Sequence, residues 1–219
     1  MGSTRLPGKV LEDLAGQPML ARVVSRTRQA KTLDSVTIAT TTLPADDAIV
    51  KLCKKMGWPC FRGSQDDVLD RYYRAALAFK ADTVIRITSD CPLTDPGVID
   101  LTVNAFLGQY PAVDYVSNSQ TRTFPRGLDV EVFSFSALEK AWREDYNPAW
   151  REHVTIYLYR HPEKFKLLNV ANDIDYSAMR WTVDTPEDLA LVRQIYNHFQ
   201  NNSFREARDG NFPRTYFQV

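Results

Sequence analysis

Apolar positions along this chain switch between a three-to-four-residue period and short β-branched runs, the pattern of helices alternating with strands. Leu20, Val23, Val24 and Thr27 share one face of a helix that opens at Pro18-Met19-Leu20. Residues 35–40, Ser-Val-Thr-Ile-Ala-Thr, read as a strand. Ala48, Ile49, Leu52, Cys53 and Met56 return to helical spacing, and Gly57 stops that helix. A short strand at 59–61 precedes a helix over 66–79 whose first turn is acidic. Residues 83–88 read as a buried strand ending at Ser89-Asp90, and a helix over Pro96–Leu107 follows. Repeated strand, loop and helix predict an α/β fold with a parallel sheet and helices on both faces.

The second half is more mixed. Strands are expected at 113–116, 128–133, 165–170 and 180–183, and helices at 136–143, 152–159 and 186–199. No repeat, low-complexity block or Gly/Ser linker interrupts the pattern. One domain over residues 1–200 is therefore expected, with a polar tail at 201–219 that reads as a loosely ordered terminus.

Composition narrows the function. The 219 residues carry 27 basic and 27 acidic side chains, so no net field draws in a nucleic-acid backbone. Arg22, Arg26 and Arg28 read as a solvated helix face. No apolar run approaches the roughly 20 residues that span a bilayer, so no membrane partner is expected. The start at Met1 lacks the apolar stretch of a secretory signal. Cys53, Cys60 and Cys91 lack CxxC spacing, and His153, His161 and His198 are scattered, which points to neither disulfides nor zinc and fits a reducing cytoplasm.

Four segments have the residues for chemistry. Gly2, Ser3, Thr4, Arg5 and Lys9 form a small, basic loop suited to a triphosphate: backbone N–H groups can approach phosphate oxygens while Arg5 and Lys9 donate with charge. It is not a P-loop, since Val10 follows Lys9. Asp90 ends an apolar strand, where ligands of open α/β sheets bind, and its hard oxygens suit Mg²⁺. Asp95 reads as a helix cap, and Cys91 as partly buried with no histidine near it in sequence. Asp184 also ends an expected strand, and Thr185 with Asp188 forms a capping-box-like pair beside it. Alternation puts Asp129 and Glu131 on one face of the strand after Gly127, either solvated or a wall of acceptors for sugar hydroxyls.

Taken as a set, these segments resemble the sugar-nucleotide cytidylyltransferases related to CMP-Kdo and CMP-acylneuraminate synthetases, and most of all the spore coat polysaccharide biosynthesis protein F branch. The matching stretches are Met1-Gly-Ser-Thr-Arg-Leu-Pro-Gly-Lys-Val-Leu11, Arg62-Gly-Ser-Gln-Asp-Asp-Val-Leu-Asp-Arg-Tyr72, Ser89-Asp-Cys-Pro-Leu-Thr-Asp-Pro96, Gly127-Leu-Asp-Val-Glu131, Arg151-Glu-His-Val154 and Val183-Asp-Thr-Pro-Glu-Asp-Leu189. The resemblance implies a Rossmann-like nucleotide-diphospho-sugar transferase fold, with a mostly parallel mixed sheet flanked by helices, and a homodimer. It implies transfer of CMP from CTP to a sugar or sugar acid with release of pyrophosphate, in cell-surface or spore-coat polysaccharide biosynthesis. Ser3, Arg5 and Lys9 would cradle the triphosphate, Asp90 and Asp184 would hold Mg²⁺, and Asp70, Arg71 and the Gly127–Glu131 segment would face the sugar.

This chain also departs from the family. Relatives usually carry an apolar strand, roughly Ile-Ile-Gln-Ala-Arg, before the glycine loop, whereas this sequence opens at the loop; the natural protein is expected to begin some ten residues earlier. Gln65 stands where an acidic residue is common, and Arg126 at a position expected to vary with the sugar. The competing readings are a glycosyltransferase or another NTP–sugar nucleotidyltransferase, and a catalytically impaired nucleotide-binding subunit. The first would need a DxD-like pair, which Asp90-Cys91-Pro92 does not supply.

Overall fold

In a computed structural model, which describes residues 5–208, helices and strands alternate as the periodicity demands. The first half runs α1 (Met19–Thr27), β1 (Ile38–Thr41), α2 (Asp47–Met56), β2 (Cys60–Gly63), α3 (Val68–Ala78), β3 (Thr83–Arg86) and α4 (Pro96–Leu107). The second runs β4 (Tyr115–Ser117), β5 (Glu131–Ser134), α5 (Phe135–Glu144), α6 (Pro148–Arg151), α7 (Ile156–Arg160), β6 (Leu167–Asn169) and α8 (Pro186–Arg208). Local chemistry sets the boundaries. Gly57, at φ 67°, closes α2 in a left-handed conformation that a glycine adopts without penalty. Asp95 caps α4, accepting from Gly97 N at 2.7 Å and Val98 N at 3.1 Å, with Pro96 in the first turn.

A mixed sheet, ordered β3-β5-β4-β6, forms the centre; β5 runs antiparallel to β3 and β4, and β6 parallel to β4. Its alternating side chains feed two cores. Val116 and Val132 pack with Ile99, Val103 and Phe106 of α4. Tyr115 and Phe133 face the other way, onto Leu69 of α3, Leu138 of α5 and Leu158 of α7. Helices therefore cover both faces, as expected. The parallel pair β1–β2 is a separate sheet, covered by Leu20 and Val24 of α1 and by Ile49 and Cys53 of α2.

Four sequence expectations change. Of the helix expected over 152–159 only the second half forms, as α7; 152–155 is a turn after the short α6, with Val154 at φ 65°. The strand expected at 180–183 shrinks to one bridge, Arg126 with Arg180, because the chain there ties to a loop and not to a sheet. The last helix continues past 199 to Arg208. Arg22 and Arg26 are not a solvated face: Arg22 Nε donates to Leu14 O at 3.0 Å and Arg26 Nε to Thr94 O at 2.7 Å, tying α1 to two loops.

Between the two sheets lies a cleft of about 1390 Å³, bounded by every residue of 34–41 and of 81–89. Side chains alternate along a strand, so a cleft touched by consecutive residues looks onto strand edges. Both β1 and β3 are edge strands in their sheets. All four residues of β3 are only partly buried, whereas all four of β5 are buried. Val10, next to the basic loop, lines the same cleft. An apolar strand of about five residues fused ahead of Met1 is expected to pair with these edges. Covering the half-buried Val84, Ile85 and Ile38 contributes about 2 kcal/mol or more. The melting temperature should then rise by roughly 5 °C, measurable by calorimetry against a polar linker of equal length.

Candidate active site

The basic loop is anchored by apolar contacts. Leu6 and Val10 pack against a cluster of Leu14, Met19, Val183, Leu189 and Val192, joining the start of the chain to α8. Gly8, at φ 74°, turns the backbone into a short 3-10 turn at Lys9–Leu11. That turn aims Lys9 inward, where its side chain is only 12% exposed. The Lys9 Nζ donates to Asp90 Oδ2 at 3.0 Å, Asp184 Oδ1 at 3.0 Å and Val183 O at 2.7 Å. Charge-assisted hydrogen bonds of this kind contribute about 1.5–3 kcal/mol each.

The two aspartates belong to loops held against each other. Val183 N donates to Asp90 O at 2.8 Å, and Thr182 Oγ1 donates to the same carbonyl at 3.2 Å. From α8, Tyr196 Oη donates to Pro92 O at 2.6 Å, and Arg193 Nε to Asp13 O at 2.8 Å. Asp184 has further cationic neighbours: Arg180 Nη2 at 2.7 Å and Arg5 Nη2 at 3.3 Å. Burial alone would raise the Asp184 carboxyl. The hydrogen bonds from Arg180 and Lys9 and the charges of Lys9 and Arg5 outweigh that and hold it below the usual range. Asp188 accepts from Asp184 N at 2.9 Å and Thr185 N at 3.0 Å while also binding Arg180; burial opposes these bonds, but they hold its carboxyl at about 2. Thr185 Oγ1 in turn accepts from Asp188 N at 3.3 Å, which completes the capping pair.

The donor set at Lys9 Nζ is two carboxylates and one carbonyl, all hard oxygens converging on one cationic atom. That chemistry fits a divalent cation such as Mg²⁺, which takes one or two carboxylates and completes its shell with water and substrate phosphates. Among the described residues no three His, Cys, Asp or Glu side chains are placed to hold one metal ion together, so a cation here would depend on such added oxygens.

A second cavity of about 560 Å³ begins at Thr88, two residues before Asp90. Arg86, Arg122, Arg126, Asp129, Glu131 and His153 are among its lining residues. Two arginines are neutralised within it, Arg86 by Glu131 and Arg122 by Asp129. Arg126 has no carboxylate partner among the described residues and is exposed. Glu131 is not on a solvated face: it is 7% exposed and also accepts from Tyr115 Oη at 2.7 Å and Thr155 Oγ1 at 2.5 Å. The Thr155 bond accompanies the turn at Val154, whose left-handed backbone costs a β-branched residue roughly 1–2 kcal/mol, and His153 lies on the cavity wall.

Arg5, Lys9, Asp90 and Asp184 thus meet at one point, with Asp129 and Glu131 beside the adjoining cavity. Gly2, Ser3 and Thr4 lie outside the described residues. Asp70 is elsewhere, accepting from Trp142 Nε1 at 2.9 Å and Arg74 Nε at 2.7 Å. Arg71 packs over Gly63, where a Cβ would meet its Cγ at 2.9 Å, and lines the large cleft between the sheets. Cys91 is 3% exposed, its thiol pushed up to about 12 by burial and then by the Asp90 charge, so it is no nucleophile. Gly127, at φ 107°, has a structural reason: a Cβ there would lie 2.6 Å from Trp181 C and 2.7 Å from Thr182 N. Its neighbour Arg126 donates its N–H to Met179 O at 3.0 Å and accepts from Trp181 N at 2.7 Å, which positions the segment leading to Asp184. Arg180 and the Val183 carbonyl are site groups that strand-end reasoning missed. The spacing of Arg180 four residues before Asp184 and eight before Asp188 is the only trace of the former in the sequence.

The sequence profile of the cytidylyltransferase family matches residues 1–212. The spore coat polysaccharide biosynthesis protein SpsF of Bacillus subtilis is 34% identical over 203 residues, covering 90% of this chain and 82% of that protein. A 3-deoxy-manno-octulosonate cytidylyltransferase of Anaeromyxobacter dehalogenans is 37% identical over 229 residues, covering 89% and 93%. The solved structure of a cytidylyltransferase from Leptospira borgpetersenii superposes with a TM-score of 0.87 at 32% identity, covering 99% of this chain and 95% of that one.

Gly127→Ala is expected to destabilise the protein by about 3 kcal/mol, since it adds both backbone strain and a backbone clash; urea unfolding measures this. Asp188 has a folded-state pKa of about 2 against 3.8 unfolded, so its stabilisation is present above pH 4 and lost as pH falls from about 4 to 2. The stability gap between wild type and Asp188→Asn should close over that window.

Proposed function

The chain belongs to the cytidylyltransferase family, and we propose that it transfers CMP from CTP to a hydroxyl of a sugar or sugar acid, releasing pyrophosphate, in cell-surface or spore-coat polysaccharide biosynthesis. The observation that carries this reading is the convergence of Arg5, Lys9, Asp90 and Asp184 beside an arginine-rich cavity. A triphosphate needs the first group, and a polyhydroxylated acceptor the second.

In this reading, the acceptor oxygen attacks the α-phosphorus in line, and the bond to the β-phosphate oxygen breaks as pyrophosphate leaves. Lys9 and Arg5 neutralise the charge gathering on the leaving group, in a site where two of the partner side chains are largely out of water. Asp90 and Asp184 would hold Mg²⁺, which supplies Lewis-acid polarisation of the phosphoryl oxygens when bound. Arg126 is free to bind an acceptor carboxylate, and Asp129 and His153 offer acceptors for hydroxyl protons. Glu131 and Arg86 shape the cavity floor through Tyr115 and Thr155 and do not themselves present free acceptors. Positioning and charge carry such a transfer, so the lack of a reactive cysteine is no obstacle.

The homodimer and cytoplasmic setting belong to the same reading. The three free thiols fit a reducing compartment, and no helix among the described residues is long and apolar enough to cross a membrane. Sedimentation velocity separates monomer from dimer.

Asp90→Asn and Asp184→Asn are each expected to lower turnover by roughly 10²-fold, read as pyrophosphate release from CTP with a sugar acid and Mg²⁺. Normal rates in both, at low Mg²⁺, would contradict the two-aspartate site. Asp95→Asn should be mild by comparison, because asparagine caps a helix nearly as well.

A further inference from the structure

Lys9 has a role that phosphate binding alone does not describe. Its ammonium occupies the point where Asp90 Oδ2, Asp184 Oδ1 and Val183 O converge, at 3.0, 3.0 and 2.7 Å. A divalent cation would need those same oxygens at roughly 2.0–2.6 Å. The ammonium and the metal therefore cannot share the site. We infer that Lys9 is the resident cation of the nucleotide-free protein, so that a divalent metal enters only when a triphosphate draws Lys9 away. The inference rests on the reading of Asp90 and Asp184 as metal ligands.

Two features make the exclusion effective. The first is how firmly Lys9 is held in place. Its turn is pinned by Leu6 and Val10 in the apolar cluster under α8, and its side chain is 12% exposed. Leaving without a replacement acceptor strips three hydrogen bonds from a desolvated ammonium, whereas phosphate oxygens replace them. The second is charge. Lys9, Arg5 and Arg180 already balance Asp90, Asp184 and Asp188: Lys9 bridges Asp90 and Asp184, and Arg180 bridges Asp184 and Asp188. A bare divalent ion would make this neutral cluster strongly positive, but the same ion bound to an anionic triphosphate would not. With only two carboxylates present, the phosphates also complete the metal's shell. Metal and nucleotide thus bind as one unit.

Mn²⁺ alone, titrated into the full chain without nucleotide and followed by electron paramagnetic resonance, tests this directly. Wild type should bind it weakly, in the millimolar range. Lys9→Met should bind at least tenfold more tightly, and Lys9→Arg, which keeps a cation in place, should stay as weak as wild type. Circular dichroism confirms that each variant is folded. Micromolar Mn²⁺ binding by nucleotide-free wild type overturns the inference whether or not Lys9→Met folds, and so does a folded Lys9→Met with unchanged affinity. The double variant Lys9→Met, Asp90→Asn separates this from the underlying reading. If the tighter binding gained in Lys9→Met survives it, the metal does not sit on Asp90 and the two-aspartate site itself fails. If the gain disappears, both stand.

Discussion

A single ammonium group joins three parts of the chain that are distant in sequence. Lys9 reaches Asp90, beyond β3, and Asp184, before α8, and the peptide link from Val183 N to Asp90 O fastens those loops to each other. The apolar cluster beneath, with Leu14, Met19, Val183 and Leu189, is what permits so much charge to meet in one place, because it holds the backbones rigid while the side chains oppose. The Asp184 carboxyl is partly desolvated, yet the bonds and charges of Arg180, Lys9 and Arg5 hold it below the usual range. The backbones are fixed in advance, and only the side-chain partners of Lys9 would need to change for a phosphate to enter.

The cavity that begins at Thr88 depends on the same framework from the other side. Gly127 lets the loop before β5 lie against Trp181 and Thr182, so the segment that shapes the cavity and the segment that supplies Asp184 are one unit. Buried Asn118 reinforces it, donating to Leu128 O at 2.7 Å and accepting from Val130 N at 2.9 Å. The Lys9–Asp90–Asp184 centre and the 560 Å³ cavity are thus joined through backbone contacts. Two arginines in the cavity are balanced by carboxylates, whereas Arg126 is exposed and has no carboxylate partner among the described residues.

Much of this was legible in the sequence, for local reasons. Asp90 and Asp184 each follow an apolar stretch and precede a capped helix, and both caps, Asp95 and the Thr185–Asp188 pair, form as the residue pattern implies. The helix and strand periods located most elements, with α4 bounded at Pro96–Leu107 as read. What escaped depended on partners far away in the chain. Glu131 looks like half of a polar strand face until Tyr115, Thr155 and Arg86 are seen to enclose it. Residues 152–159 have helical periodicity, but 152–155 form a turn in which Thr155 bonds the distant Glu131, a partner that local propensity does not encode. Arg22 and Arg26 are spent on loop carbonyls for the same reason. Asp70 accepts from Trp142 on α5, a partner that lies far from it in sequence, and Arg71 packs over Gly63 of β2.

In the proposed function, the Lys9–Asp90–Asp184 centre takes a cytidine triphosphate together with a divalent cation. Isothermal titration of the protein with CTP, UTP, GTP and ATP, each with Mg²⁺, tests it most directly. The account predicts saturable binding of CTP, at least tenfold tighter than the other three and lost in Asp184→Asn. Equal affinity for all four nucleotides, or CTP binding that survives in Asp184→Asn unchanged, would contradict it.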